Sequence, residues 1–302
     1  MPKAICELID KNLLENLEGR IIDLEIHHTA PMHFSQNPFV IHLESFKPFF
    51  FPLLDQGKST PLSENDLVYY KMKLESKNCL GIISHIKSTL EDLDKVFASD
   101  IIRKKLFYMP IGIESREVKT KVDTGSGPVF LFINSAHQNP ANFLNRGGLA
   151  TLSFWFDYIR AGNIGKLVLR TSKPTAETLG EYWQELEDFE REHPETILWF
   201  EHYFSDSEMD LLFQKSDFFM IPSFSLHSHS IMRALKSGLI PIVSDANGYE
   251  EYITPNKTAL VVEGVKKYIH QNMKLGGASI ESDNYEKFTL SIFCYYFIKL
   301  QF

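Results

Sequence analysis

Cations, hydroxyls and carboxylates cluster just past apolar runs in this chain, and each cluster could contact a ligand. Asn145-Arg146-Gly147-Gly148 stands before a helical run. Glycine lets backbone amides approach a phosphate, a helix start favours an anion, and Arg146 can add charge-assisted bonds. The same four residues can equally be a plain turn. Arg170-Thr171-Ser172-Lys173 sets two cations and two hydroxyls after the run Lys166–Leu169, as an anion contact or as a solvated loop. His227-Ser228-His229-Ser230 opens another helix. Its serines cap the helix, or His229 and Ser230 hydrogen-bond sugar or phosphate. No Asp or Glu lies between Pro222 and Ser244 to help the two histidines hold a metal. Asp245-Ala246-Asn247-Gly248-Tyr249-Glu250-Glu251 joins a glycine turn to adjacent acids. Amides around Gly248 suit a phosphate and Glu251 suits ribose or sugar hydroxyls, or the acids merely complement a helix dipole. His42 and Glu44 close the run Phe39–Leu43, and His85 closes Cys79–Ser84. Titratable groups at such ends are candidates for acceptor binding or proton transfer, although a lone histidine is more often structural.

The elements that must position these residues alternate. Residues 216–254 read as strand, polar loop, helix, glycine turn, strand, polar loop. Ser237-Gly238 stops the helix because glycine accepts the left-handed conformation of a helix end. Strands are predicted over Arg20–Ile26, Phe39–Leu43, Cys79–Ser84, Leu106–Ile111, Val129–Ile133, Lys166–Leu169, Ile197–Phe200, Phe218–Ile221, Ile240–Val243 and Thr258–Val262. Helical patterns separate most of them, including Ile86–Phe97, Gly148–Arg160, a long charged stretch Thr175–Glu192, and Ser207–Lys215. Such alternation predicts parallel sheets with helices on both faces, whose ligands gather at the carboxyl ends of the strands.

With 302 residues the chain has room for two domains. Its net charge of −8 argues against nucleic acid as the main partner. Three distant cysteines, Cys6, Cys79 and Cys294, and no Cys-x-x-Cys point to a reducing compartment without structural zinc. The start lacks the pattern of a secretory leader, and no apolar run is long enough to span a bilayer. A cytoplasmic location is therefore expected, with contact at the inner membrane surface as a further expectation from the aromatic stretch Phe288–Ile298. There is no Gly-x-Ser-x-Gly, no P-loop and no Gly-x-Gly-x-x-Gly.

Taken in order, the pieces resemble the retaining nucleotide-sugar glycosyltransferases of the GT-B fold, called glycosyltransferase group 1 or family 4. Asn78–Gly112 resembles the end of that family's first domain, with a Ser-His strand end and a Met-Pro-Ile-Gly strand end. Val129–Gly148 resembles the second domain's first strand and its Arg/Lys-Gly turn. Ile197–Ser223 resembles a strand, a Ser-Asp-x-Glu turn, a helix and the strand Asp-Phe-Phe-Met-Ile-Pro-Ser. Arg233–Glu251 resembles the Glu-Ala-Met-Ala-x-Gly-x-Pro-Val-Val segment and the Gly-x-x-Glu turn behind it. The resemblance spans most of residues 38–262.

The resemblance implies an α/β, GT-B-like fold: two Rossmann-like parallel-sheet domains facing a cleft, the first incomplete. Residues 1–118 would form a shortened acceptor-side domain, 119–128 a linker, 129–264 the nucleotide-sugar-binding domain and 265–302 a helical tail. It implies sugar transfer from a nucleotide sugar to a hydroxyl of a glycan, lipid or protein, with retention, by a hexosyltransferase. No cofactor or metal is expected. Arg146 matches the family's lysine, and Gly147 follows it. Asn247, Gly248 and Glu251 match the Gly-Gly-x-x-Glu turn. Three departures matter. The family's paired glutamates fall on Ser225 and Arg233, so Arg233 would meet a phosphate instead. A family arginine falls on Ser135, with Arg170 as its substitute, and Lys173 would be a further cation for the departing diphosphate. The family's first strand and glycine-rich loop have no counterpart before Arg20. His42, Glu44 and His85 would line the acceptor side. The departures also admit a second reading, a GT-B-like binding or assembly module without catalysis. An epimerase or phosphorylase of the same fold has less support in these residues.

Overall fold

The computed structural model describes residues 22–28, 37–44, 54–55, 58–59, 64–114, 127–134 and 141–265. Residues 1–21, in which the sequence places Ile5, Leu8, Ile9, Leu13, Leu14 and Leu17 at helical spacing, most of the linker and the tail beyond Val265 lie outside them. Two compact units part between Gly112 and Ile113.

The first unit is built on four parallel strands. These are β1 (Glu25–His28), β2 (Phe39–His42), β5 (Cys79–Ser84) and β6 (Leu106–Tyr108), side by side in that order. A separate antiparallel pair is formed by β3 (Leu54–Asp55) and β4 (Lys58–Ser59), in a polar stretch with Gly57 and Pro61 that reads as a loop in the sequence. β2 shows why the sheet forms: Phe39 and Ile41 are buried while Val40 and His42 are partly covered, the period-two pattern of a strand. The helix Lys87–Phe97 buries Thr89, Leu93 and Phe97, four residues apart, which is one helical face. Leu93 and Phe97 join Phe39, Ile41, Leu74 and Ile82 in a common core. β6 stops short of the predicted Ile111. Met109 still donates to the Ser84 carbonyl at 2.9 Å, but Pro110 has no N–H with which to continue.

The second unit is a six-stranded parallel sheet. Its strands are β7 (Val129–Ile133), β8 (Lys166–Arg170), β9 (Ile197–Trp199), β10 (Phe218–Ile221), β11 (Ile240–Ser244) and β12 (Leu260–Val262). Their spatial order is β12-β11-β10-β7-β8-β9. The chain winds outward from β7 through β8 to β9, returns to the other side of β7 as β10, and winds outward again. This is the doubly wound Rossmann order, and its direction reverses between β7 and β10. The strands are nearly continuous apolar runs, as parallel strands covered on both faces are. Asp217 closes the amino end of that junction. Its carboxylate accepts from the Val129 N–H at 2.8 Å, and its own N–H donates to the Val129 carbonyl at 2.8 Å.

The stretch Thr175–Glu192 is two helices, Ala176–Leu179 and Tyr182–Glu192, rather than one. Gly180 breaks it with φ 57° and ψ −126°, a conformation closed to a helix. The helix Ser228–Lys236 begins earlier than its apolar pattern indicates, and so carries Ser228, His229 and Ser230 in its first turn.

Candidate functional site

The reversal between β7 and β10 marks where a doubly wound sheet binds its ligand. After β7 the chain passes Asn134, forms the short helix Ala141–Asn145, and turns through Arg146 and Gly147 into the helix Gly148–Arg160. Gly147 adopts φ 80° and lies against the loop after β10. A Cβ there would sit 2.2 Å from the Pro222 carbonyl oxygen, so only glycine fits. The two loops are stitched together. The Asn145 carbonyl accepts from the Phe224 N–H and from Ser223 Oγ, both at 3.1 Å. Ser223 Oγ is also 3.0 Å from His227 Nε2, and Ser244 Oγ donates to the Ser223 carbonyl. The loops after β7 and β10 and the end of β11 are thereby held together.

Two arginines near this junction lack a carboxylate among the described residues. The Arg146 guanidinium is half-buried and has no hydrogen-bond or ion-pair partner there. Burial alone pulls its pKa down. A cation removed from water without a counter-charge costs free energy until an anion meets it. Arg170 ends β8 and is only 7% exposed. Its Nη1 donates to the Asn134 carbonyl at 3.1 Å, and its guanidinium lies 5.9 Å from the ring centroids of Tyr203 and Phe204. Its Nε has no partner among the described residues. Burial lowers its pKa, with Tyr203 opposing.

Two other expected cations are matched within their own domain. Lys173 Nζ is 2.6 Å from Glu190 Oε2 and 5.7 Å from the Trp199 ring, while its backbone N–H donates to Glu201. Arg233 donates to Asp210 Oδ1 from Nη2 at 2.7 Å and Nε at 3.2 Å, and to the Asp206 carbonyl at 3.0 Å. It also lies over Phe213, 5.4 Å from the ring centroid. Ser225 is partly buried beside His227, with its Oγ 3.5 Å from Nε2. His229 is exposed and Ser230 partly buried in the first turn of the Ser228 helix. After β11, Gly248 takes φ 86° and starts the short turn Tyr249–Glu251, with Asn247 and Glu251 both partly buried.

In the first unit His42 and His85 come together at the carboxyl edge of the sheet, with His42 Nε2 3.3 Å from His85 Nδ1. A third ring, His28 at the end of β1, sets its Nδ1 2.8 Å from His42 Nδ1. Burial lowers the pKa of both His42 and His85. His28 adds to the fall at His42 and Glu44 opposes it. At His85, Glu44 opposes while His42 and His28 add. Glu44 is exposed, and its carbonyl accepts from Thr89 Oγ1 at 3.2 Å. Sequence reasoning missed His28; the available signal was a third histidine at the end of a predicted strand region. It also missed Tyr203 and Phe204, which only the fold brings to Arg170. Among the described residues no group of three or more His, Cys, Asp or Glu is arranged to hold a metal ion, and no helix is long and apolar enough to cross a membrane.

No family model and no curated protein matches the sequence. Solved structures do match the fold. A UDP-forming α,α-trehalose-phosphate synthase from Burkholderia xenovorans aligns at 12% identity and TM-score 0.54, over 97% of this chain and 73% of that one. A glycosyltransferase from Rickettsia africae aligns at 12% identity and TM-score 0.53, over 97% and 77%. HepE from Anabaena, solved in complex with UDP and glucose, aligns at 11% identity and TM-score 0.56, over 95% and 75%. The chain therefore has a GT-B-like fold, with two parallel-sheet α/β domains of which the first is small.

Proposed function

We propose that this chain is a glycosyltransferase that moves a sugar from a nucleotide-sugar donor to a hydroxyl acceptor. The observation that carries the reading is Arg146, a cation without a counter-charge among the described residues, beside Gly147 at the strand-order reversal of the second sheet. A donor diphosphate would supply the missing anion. As the bond between the anomeric carbon and the phosphate oxygen breaks, its electron pair stays on the departing diphosphate. Arg146 and Arg170, with backbone amides of the Gly147 and Gly248 turns, would stabilise that charge in place. The acceptor oxygen forms the new bond to the anomeric carbon and gives up its proton. His42, Glu44 and His85 are the proposed acceptor-side groups. Lys173 and Arg233 join the donor set only by exchanging Glu190 and Asp210 for phosphate. Asn247, Glu251, His229 and Ser230 are proposed for the hydroxyls and phosphates of the donor. Transfer of a hexose with retention, and donor binding without a metal, complete the proposal. The solved glycosyltransferases of the same fold, and the related structure holding UDP and glucose, support it. No feature of the described residues favours the non-catalytic assembly module over this reading.

Titration calorimetry with UDP and GDP tests the proposal. Arg146→Ala is expected to weaken nucleoside diphosphate binding roughly 10- to 100-fold, the range of one hydrogen bond to a charged group. Absence of binding by either diphosphate to the unaltered protein would sink the proposal.

A further inference from the structure

His28, His42 and His85 form a continuous chain through space although they are far apart in sequence. β1, β2 and β5 are parallel neighbours, and His28 pairs in register with His42. His42 in turn pairs with Ile83, two residues before His85. The planes of His28 and His42 are 8° apart and their centroids 4.9 Å apart, so the 2.8 Å contact joins the adjacent Nδ1 edges of two offset rings. His42 meets His85 with centroids 5.4 Å apart and planes 26° apart. His42 thus uses both ring nitrogens, one on each neighbour. The chain also crosses a gradient of burial: His28 is exposed, His42 partly buried and His85 1% exposed.

A neutral imidazole has one donor nitrogen and one acceptor nitrogen. Three in a row can therefore orient their bonds from His85 toward His28 or the reverse. A protonated His42 donates both ways without breaking either bond. A metal between His28 and His42 would need about 2.0–2.1 Å to each nitrogen. Nitrogens 2.8 Å apart and facing each other leave room for a proton instead.

We propose that His28 and His42 are positioning residues of a proton relay that connects the buried His85 to solvent. Its role in catalysis rests on the glycosyltransferase reading. There, the acceptor O–H bond breaks as the oxygen joins the anomeric carbon, and His85 takes the proton at Nε2. His85 passes the proton on Nδ1 to His42 Nε2, His42 passes the one on its Nδ1 to His28 Nδ1, and His28 releases a proton to water from Nε2. One proton enters and one leaves. The relay gives the buried His85 a route by which that proton reaches solvent. Burial lowers the pKa of His42 and His85, which favours the neutral rings from which the relay starts. The carboxylate acting on both rings is Glu44 after β2. On β1, Glu25 lies 3.0 Å from His27, and at the start of the following helix Lys87 lies over Tyr108 of β6.

Nitrogen-15 NMR of the histidine rings of the full chain tests the relay without needing substrate. His28→Ala is expected to shift the titration of His42 and to slow ring N–H exchange at His85, and free imidazole in the buffer is expected to restore that exchange. His42→Phe should slow exchange at His85 without rescue from imidazole. Because His28 is exposed, His28→Ala should keep its fold, which the amide spectrum reports. If ring exchange at His85 is the same in both variants as in the unaltered chain, the relay is overturned. With a donor that turns over, His28→Ala should lower kcat, by up to roughly 10²-fold, with KM unchanged. If no donor turns over while the exchange signature is present, the transferase reading falls and the relay stands. If turnover occurs with no such signature, the relay falls and the transferase reading stands.

Discussion

Arginines of one chemistry do two jobs in the second domain, and their partners separate them. Arg233 is matched by Asp210 and the Asp206 carbonyl; Arg146 has no such match among the described residues. Arg233→Ala is therefore expected to cost about 1 kcal/mol of stability, since it strands a partly exposed carboxylate. Arg146→Ala should leave stability unchanged or raise it, because it removes a half-buried cation without a counter-charge. Urea melts of the two variants check the contrast. The histidines make a second prediction. Burial lowers the folded pKa of His42 and His85 from the ordinary value. The unfolded chain then binds protons first as pH falls, so their contribution is complete above pH about 6.5 and lost as pH drops through the folded values. Urea midpoints for the first domain should be lower at mildly acidic pH than above neutrality, with a shallower fall in His85→Gln. The sequence makes Arg146 and His85 visible as candidates. It cannot show that Lys173 meets Glu190 or Arg233 meets Asp210, because such pairs depend on how helices and loops distant in sequence pack.

The Gly147 turn shows what can be read at the scale of elements. Glycine before a helix is legible as punctuation, but the carbonyl that demands it belongs to Pro222, on a strand-end loop far along the chain. Gly162 is a useful control, with φ 86° and open space where its Cβ would be. Gly162→Ala should cost only left-handed strain, roughly 1–3 kcal/mol. Gly147→Ala should cost more, because a methyl group cannot share space with the Pro222 oxygen, and it should also weaken UDP binding by parting the loops. Thermal melts and calorimetry of the pair distinguish the effects. β7 and β10 are readable because buried parallel strands are apolar along their length. The Thr175–Glu192 stretch misleads because its charges suit one long exposed helix, whereas Gly180 adopts a backbone conformation that periodicity does not register.

For the molecule as a whole, the alternation of strand and helix specifies parallel sheets, while strand order emerges only from pairing. Donor binding through Arg146 and Arg170 carries one more outcome. UDP affinity should be the same in EDTA as in magnesium or manganese; a marked loss in EDTA would overturn donor binding by protein cations alone. The order β9-β8-β7-β10-β11-β12 also has a consequence for synthesis. As the ribosome delivers the chain, β7 can pair with β8 early, but its other flank waits for β10. At ribosomal speeds that wait lasts on the order of several seconds. Throughout it, Val129–Ile133 offers an apolar strand edge of the kind that recruits other nascent chains. The yield of intact protein in a cell then depends on what shields that edge before Phe218 emerges, and a chain halted just short of β10 should be found with chaperones or in aggregates.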